Sequence, residues 1–195
     1  MVDRPLRKRK LFVGVDLDET ARTACAAVSE VLQKTGFAAR YEGAEKLHVT
    51  LAFLGYVEPS RCASIVSKLA SSAGRADPFG VTLDKLGAFP HERRPRVVYA
   101  GARDQGAPFR ALAQIVRSAY EGLGFEFRDD AVAHVTLARV KESRRPLPSI
   151  EFDPIALEIR ELVLFESLPD KAHNTSRYEI IETAPLLRAT RASAG

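Results

Sequence analysis

Hydrophobic and polar residues follow two different periods along the chain, and each period predicts a different element. Three stretches carry apolar residues at helical spacing, which predicts helices at 19–34, 60–72 and 107–121. Stretches rich in β-branched and aromatic residues predict strands at 11–17, 37–41, 47–54, 79–87, 97–101, 125–128, 133–140, 156–166 and 177–182. Loops are predicted at 88–96, 141–149 and 167–176, where prolines and polar residues gather.

The predicted elements repeat in order, which indicates an internal duplication. A strand, a helix, a short aromatic strand and a further strand occur twice, from Leu11 and again from Val97. The tetrapeptide His-Val-Thr-Leu begins at His48 and at His134, and 134 − 48 equals 97 − 11, an offset of 86 residues. We therefore expect residues 1–195 to form a single domain of two pseudo-symmetric lobes, with flexible ends at 1–10 and 188–195.

The composition narrows the class of protein. With 46% hydrophobic and 28% charged residues, the 195-residue chain has an ordinary globular composition. Its net charge of +4 suits an anionic ligand without demanding nucleic acid. The two cysteines, Cys25 and Cys62, form no CxxC pair, so neither a disulfide framework nor a zinc site is predicted. No signal-peptide core or membrane-length apolar run is evident, and we expect a cytoplasmic protein.

The repeated tetrapeptide combines packing with chemistry. Residues two apart on a strand share a face, so His48 and Thr50 point one way while their neighbours point into the core. His134 and Thr136 repeat this arrangement. If the two halves are related by a pseudo-two-fold axis, two imidazoles and two hydroxyls meet across one cleft.

Two histidines and two threonines suit attack on phosphorus. An imidazole titrates near pH 6.5, so one neutral ring can take a proton from water while one protonated ring gives a proton to the leaving oxygen. Thr50 and Thr136 can hydrogen-bond phosphate oxygens. Arg139 can add a bidentate phosphate contact, although it needs a twist or bulge to reach the side of His134. The set is a poor metal site, because a catalytic zinc usually has three protein ligands.

Each candidate also has a structural interpretation. A single strand histidine is usually structural, and only the matched pair favours catalysis. Phe89 and Tyr56 are candidates for stacking an RNA base, whereas core packing is expected for Phe53. Arg94 and Arg96 fit RNA-backbone contact and a solvated face equally well.

Several motifs together resemble a known family. They are Leu11-Phe12-Val13-Gly14-Val15, the segment from His48 to Gly55, Gly87-Ala88-Phe89-Pro90, the segment from Pro95 to Gly101, His134-Val135-Thr136-Leu137-Ala138-Arg139, and Leu164-Phe165-Glu166-Ser167 with Tyr178 beyond. They resemble the 2H phosphoesterase superfamily, and within it the RNA 2′,3′-cyclic phosphodiesterases once called 2′-5′ RNA ligases. No departure falls at a catalytic position.

The resemblance implies a fold and an activity. It implies a bilobal α+β fold in which two antiparallel sheets line a central cleft and the helices lie outside. It also implies hydrolysis of 2′,3′-cyclic phosphates to 2′-phosphates, with His48 as general acid and His134 as general base. The residues alone do not assign these two roles.

The expected partners follow from that activity. They are RNA ends or nucleoside 2′,3′-cyclic phosphates, with no cofactor, no metal and no membrane, and the protein is expected to be a monomer. Two alternatives remain open. One is the joining of a 2′,3′-cyclic phosphate to a 5′-hydroxyl at the same site. The other is an RNA-binding module without turnover, which would need a damaged His or Thr.

Overall fold

A computed structural model describes residues 7–142, 145–173 and 175–187. The helices among them are α1 (Glu19–Lys34), α2 (Cys62–Ala73) and α3 (Gly106–Glu121). The strands are β1 (Arg9–Asp16), β2 (Arg40–Tyr41), β3 (His48–Val57), β4 (Phe79–Leu83), β5 (Lys85–Phe89), β6 (Val97–Gly101), β7 (His134–Arg139), β8 (Ile155–Ile159), β9 (Glu161–Asp170) and β10 (Thr175–Pro185). The predicted tail 188–195 and residues 1–6 of the predicted arm lie outside the described residues; Arg9 and Lys10 belong to β1.

All three predicted helices form, and α1 shows why. The Asp18 carboxylate accepts a hydrogen bond from the Ala21 backbone N–H at 2.8 Å, which caps the free donors of the first turn. Cys25, Val28 and Leu32 follow at helical spacing and are buried. The helix ends before Gly36, whose φ of +69° is a conformation that glycine adopts without strain.

The strands form two antiparallel sheets, as predicted for an α+β fold. The larger sheet has the order β10-β9-β1-β3-β7-β6-β5, with β2 paired to β7 outside this path, and the smaller sheet is the pair β4-β8. The two motif strands, β3 and β7, are therefore neighbours at the centre of the larger sheet. They pair at one position only, Val49 opposite Val135.

The helices cover one side of this arrangement and tie the two halves together. α1 packs against β7 and β8, while α3 packs against β3 and β4. Each of these helices thus contacts the motif strand of the other half. α2 packs against β9, β10 and α3, and the apolar faces of the helices and strands form one main core.

Two predicted strands are each split, because the chain passes from one sheet to the other. The predicted strand 79–87 breaks at Asp84, where the carboxylate accepts from the Arg103 N–H at 2.8 Å and the Asp84 N–H donates to Gly101 O at 2.9 Å. The predicted strand 156–166 breaks at Arg160, whose carbonyl accepts from the Leu186 N–H at 2.8 Å. In both cases the backbone at the break no longer hydrogen-bonds within the smaller sheet, and the next strand belongs to the larger sheet.

Other segment predictions were wrong in extent. The stretch 125–128 forms no strand, and its aromatic rings pack beneath cations instead, with Arg61 4.5 Å from the Phe125 ring and Arg117 5.3 Å from the Phe127 ring. Only Arg40–Tyr41 of the predicted strand 37–41 finds a partner strand. The predicted loop 167–176 instead belongs largely to β9 and β10, whose antiparallel pairing extends to Asp170 opposite Thr175.

Candidate active site

A bulge occurs at the same place in both motif strands. On β7, Tyr99 pairs with Thr136 and Val98 with Ala138, which leaves Leu137 without a partner. On β3, Gly14 pairs with Thr50 and Val13 with Ala52, which leaves Leu51 unpaired in the same way. A bulge adds one residue to one strand and reverses the alternation of side chains beyond it.

The bulges decide which side chains reach the cleft. Arg139 follows Thr136 by three residues, yet both line the same cavity. The twist or bulge that Arg139 needs to reach the cleft is therefore present, as a bulge. Phe53 follows Thr50 in the same way and is 53% exposed. The prediction that Phe53 packs in the core is therefore wrong, because the bulge at Leu51 turns its ring to the cleft side.

The predicted catalytic and phosphate-binding residues lie along one cleft made of two adjoining cavities. A cavity of about 630 Å³ is lined by His48, Thr50, Thr136 and Arg139. A second cavity of about 780 Å³ is lined by His134, and both cavities include Thr50 and Phe53. The cleft thus joins the His/Thr faces of the two halves, with Thr50 at the boundary.

Both imidazoles are anchored in the same way. Nδ1 of His48 lies 2.6 Å from Lys46 O, and Nδ1 of His134 lies 2.8 Å from Val132 O. A carbonyl oxygen only accepts hydrogen bonds, so Nδ1 carries the proton in each ring and Nε2 is the nitrogen left to accept or give a proton. Nε2 of His48 lies 3.0 Å from Thr50 Oγ1.

The carbonyls that anchor the two rings belong to segments held by polar side chains that the sequence did not single out. Arg22 donates to Ala44 O at 2.7 Å, at the start of the 3₁₀ turn that ends with Lys46, and pairs with Asp16 at 2.7 Å. The Gln105 side chain accepts from the Ala133 N–H at 2.6 Å, next to His134. The contacts of Arg22 with Ala44 and of Gln105 with Ala133 join residues 22 and 28 positions apart, so no local motif predicts them.

Aromatic rings surround both histidines. The His48 ring lies 4.8 Å from Phe12, 5.1 Å from Tyr178 and 5.7 Å from Phe165. The His134 ring lies 5.1 Å from Phe89 and 5.2 Å from Tyr99. Gly87 and Gly101 provide the space for the Tyr99 ring, since a Cβ at either position would overlap it.

This burial changes the acidity of both rings. Burial lowers the pKa of His48 and of His134, because a low-dielectric site disfavours the charged imidazolium. The hydrogen bond from each Nδ1 to its carbonyl acts in the opposite direction and raises each pKa. Nearby charges act on His48 in both directions, since His134 and Arg139 lower its pKa and the Asp16 carboxylate raises it. In the second half, the position 86 residues later is occupied by Ala102, which carries no charge.

Arg139 is held at the rim of the cleft by a carboxylate. Its Nε donates to Glu42 Oε1 at 2.8 Å, and the Glu42 side chain is only 8% exposed. Arg139 also hydrogen-bonds the Tyr178 hydroxyl. Arg40, opposite Arg139 in the β2–β7 pair, lies 4.0 Å from the same carboxylate. Sequence reasoning missed Arg40 and Glu42, since β2 has only two residues.

The chain matches a known family along most of its length. Residues 15–99 and 101–173 match the family model described as LigT like Phosphoesterase. The chain belongs to this family. The match confirms the resemblance predicted from the two motifs and, with it, the prediction of a phosphoesterase enzyme.

Three curated relatives of this LigT-like chain are each named RNA 2′,3′-cyclic phosphodiesterase. The relative from Archaeoglobus fulgidus is 34% identical over 72% of this chain and 78% of its own. The relative from Thermotoga maritima is 26% identical over 81% of this chain and 86% of its own. The relative from Geobacillus stearothermophilus is 29% identical over 94% of this chain, which spans 59% of that relative's length.

Solved structures of LigT-type proteins share the fold. Escherichia coli LigT in apo form has a TM-score of 0.73 and 25% identity, over 94% of this chain and all of the other. E. coli LigT complexed with 3′-AMP has a TM-score of 0.70 and 26% identity over the same share. TT0787 of Thermus thermophilus has a TM-score of 0.72 and 25% identity, over 91% of this chain and 97% of that chain.

The remaining predicted contacts of this LigT-like protein are distributed unevenly. Phe89 lines the cavity that contains His134. Tyr56 is 69% exposed and lines a smaller cavity beside the cleft. Arg94 and Arg96 are exposed and line neither of the two cavities. The Arg96 guanidinium instead donates to the Lys141 carbonyl, which fixes the start of the loop after β7.

Three further properties can be stated for the part of the chain that the structure describes. Within residues 7–142, 145–173 and 175–187, no three or more His, Cys, Asp or Glu side chains are grouped as a metal site. None of the described helices has the length and apolar character needed to cross a membrane. Cys25 and Cys62 are both free thiols.

Proposed function

We propose that the protein hydrolyses RNA 2′,3′-cyclic phosphate ends to 2′-phosphomonoesters by general acid–base catalysis between His48 and His134. The observation that carries the proposal is the matched anchoring of the two rings, each with Nδ1 on a carbonyl and Nε2 as the reactive nitrogen. The name of the curated relatives supports the substrate.

In the proposed reaction, protons move through the two Nε2 atoms. Nε2 of His134 accepts a proton from the water that attacks phosphorus, and the hydrogen bond to Val132 O stabilises the imidazolium that forms. The bond from phosphorus to O3′ breaks, and Nε2 of His48 gives its proton to O3′. The product carries a 2′-phosphate and a 3′-hydroxyl. Each proton transfer typically contributes about 10²–10⁴-fold in rate.

The surroundings of the two rings differ by one carboxylate. A general acid must carry its proton before the reaction, and a nearby carboxylate favours the protonated ring. Asp16 raises the pKa of His48, whereas the corresponding position near His134 is Ala102. Because burial and the nearby charge of His134 still lower the pKa of His48 overall, the assignment of His48 as the acid and His134 as the base rests on the resemblance to the family.

The other cleft residues bind the phosphate in this proposal. The hydroxyls of Thr50 and Thr136 line the cavity and can donate to the non-bridging oxygens. Arg139 places a guanidinium at the same cavity while Glu42 holds its Nε. No step requires a metal ion, and metal independence is part of the proposal.

Aromatic side chains along the cleft supply faces for the RNA base. Phe53 and Phe89 line the cleft, and Tyr56 lies beyond Phe53. The Lys10 ammonium lies 5.5 Å from the Phe53 ring and 6.0 Å from the Tyr56 ring, which adds a cation beside two exposed aromatics. Interleaved aromatic and basic side chains are typical of sites for unpaired RNA.

We further propose that one chain acts alone, as a cytoplasmic monomer. Every residue of the proposed site comes from one chain. Light scattering should give the mass of a single 21.4 kDa chain, while an assembly that is required for turnover would contradict the proposal.

The test is to incubate the protein with an oligonucleotide ending in a 2′,3′-cyclic phosphate, with EDTA present. Phosphorus NMR should identify a 2′-phosphate as the product. His48→Ala and His134→Ala should each lose turnover, while His91→Ala, a change of an exposed loop histidine, should not. A 3′-phosphate product, or activity that is lost with EDTA and restored by a metal ion, would contradict the proposal. A 5′-hydroxyl acceptor in the same assay tests for joining.

A further inference from the structure

A further cavity opens from the catalytic cleft at Arg40 and Arg139. Its volume is about 730 Å³, and both arginines also line the cavity that contains His48. This cavity continues along Lys141 and Arg145. A path lined by cations thus leads from the reactive centre along the surface of the protein, and it is called here the basic groove.

The entrance of the basic groove is built around a shielded carboxylate. Glu42, 8% exposed at its side chain, accepts from Arg139 Nε at 2.8 Å and lies 4.0 Å from Arg40. Pairing of β2 with β7 places Arg40 directly opposite Arg139. Two guanidiniums are thereby placed side by side at the boundary between the cleft and the groove.

The far part of the basic groove is also held in place. Arg96 donates to the Lys141 carbonyl, and the Val140 N–H donates to the Arg96 carbonyl at 2.9 Å. Arg145 lies 5.8 Å from the Phe37 ring and donates to the Gly36 carbonyl. The cations of the groove therefore sit on a backbone that is tied to the end of α1 and to the β5–β6 loop.

Charge separates the basic groove from the cavity around His134, and size separates it from the exit past Tyr56. Its lining has four basic side chains and one acid, Glu142. The cavity around His134 has three acids, Glu126, Asp129 and Asp130, against two arginines. The exit past Tyr56 is also basic, with Arg7, Lys8 and Lys10 against Glu166, but it is smaller at about 230 Å³, and its Lys8 is paired with Glu58 at 2.8 Å. A polyanion that leaves the reactive centre is favoured along the basic groove.

We propose that the basic groove binds the phosphodiester backbone of the nucleotides that precede the cyclic phosphate. This inference rests on the proposed function, because it takes the RNA end to lie at His48 and His134. Arg139 contacts the terminal cyclic phosphate, and Arg40, Lys141 and Arg145 contact the phosphates upstream. The protein then distinguishes an RNA strand from a free nucleoside 2′,3′-cyclic phosphate, which has no upstream phosphate.

The test compares two substrates in the full-length protein: a hexanucleotide with a 2′,3′-cyclic end and a nucleoside 2′,3′-cyclic phosphate. The double variant Lys141→Ala/Arg145→Ala should lose about tenfold in kcat/KM on the hexanucleotide and remain within about twofold on the mononucleotide, since two phosphate contacts are lost only with the longer substrate. The slope of log Kd against log salt should fall by about 1.4, at about 0.7 per contact on a single strand. Arg110→Ala, a change of an exposed arginine on α3, is the matched control and should change neither substrate.

Three results would overturn the proposal. They are an equal loss on both substrates, no loss on the hexanucleotide, and a loss that appears with Lys8→Ala instead, which would place the RNA in the small exit past Tyr56. If the wild-type protein hydrolyses neither substrate, the proposed function fails. Fluorescence anisotropy with the same hexanucleotide then decides the groove separately, because the double variant must still weaken binding and Arg110→Ala must not.

Discussion

Replacing Arg139 by lysine keeps the positive charge and removes the planar fork of the side chain. In the structure, Nε of Arg139 donates to Glu42 at 2.8 Å, and the same guanidinium hydrogen-bonds Tyr178. A guanidinium can keep these partners and still point another N–H into the cavity. A lysine ammonium is a single point of charge, and the shielded Glu42 carboxylate will hold it away from the phosphate.

The size of the effect follows from the lost phosphate contact. A hydrogen bond to a charged group contributes about 1.5–3 kcal/mol. Arg139 is 45% exposed at its side chain, so solvent screening favours the lower part of this range, about 1.5–2 kcal/mol. At about 1.36 kcal/mol per tenfold, Arg139→Lys should reduce kcat/KM about 10–30-fold. Most of the loss should appear in KM, because the phosphate is charged in both the ground state and the transition state.

Steady-state hydrolysis of a nucleoside 2′,3′-cyclic phosphate measures this effect. Arg40→Lys is the matched control, because Arg40 lies 4.0 Å from the same carboxylate and is assigned to upstream phosphates that this substrate lacks. It should change kcat/KM by less than about threefold. A tenfold change would correspond to about 1.36 kcal/mol. The role of the planar guanidinium would be refuted if Arg139→Lys kept the wild-type kcat/KM, or if its loss in kcat/KM were no larger than that of Arg40→Lys.

Three further predictions follow from the same geometry. The pH profile of kcat/KM should be bell-shaped. Asp16→Asn should move its alkaline limb to lower pH, because it removes the carboxylate that raises the pKa of His48. An unmoved limb would contradict the role of Asp16. Phe53→Ala should raise KM for an RNA substrate by the equivalent of about 1–3 kcal/mol per stacked base. Because the ring is 53% exposed, the midpoint of urea unfolding should stay unchanged, whereas truncation of a core residue would lower it. Gly14→Ala should destabilise the fold by about 1–3 kcal/mol in urea denaturation, because a Cβ at Gly14 would overlap the Val49 carbonyl oxygen; an unchanged midpoint would show that the two strands can separate.

The catalytic faces could be predicted from sequence because strand alternation is local. The spacing of His48 and Thr50 places both on one face, and the structure has them lining one cavity. The same rule failed for Phe53, and it predicted the direction of Arg139 only on condition of a bulge. A bulge depends on how two strands pair, as at Leu51 and Leu137, and no residue type in the motif predicts it.

The supporting residues were out of reach of sequence reasoning for a related reason. Glu42 and Arg139 are 97 residues apart along the chain, and only the pairing of β2 with β7 brings them together. Asp84 illustrates the same limit for the fold, since an alternating strand pattern continues through the point at which the chain changes sheets. Periodicity describes which way residues face, whereas sheet membership depends on distant partners.

The central claim is that His48 is the acid and His134 the base, and substrates with different leaving groups test it most directly. A 2′,3′-cyclic phosphorothiolate with sulfur in place of O3′ expels a thiolate, which needs little protonation. We expect His48→Ala to lose about 10²–10⁴-fold on the natural substrate and to recover to within about tenfold of the wild type on the sulfur substrate, about 1.36 kcal/mol. His134→Ala should remain inactive on both. Equal loss by both variants on the sulfur substrate, or recovery of His134→Ala instead, would contradict the account.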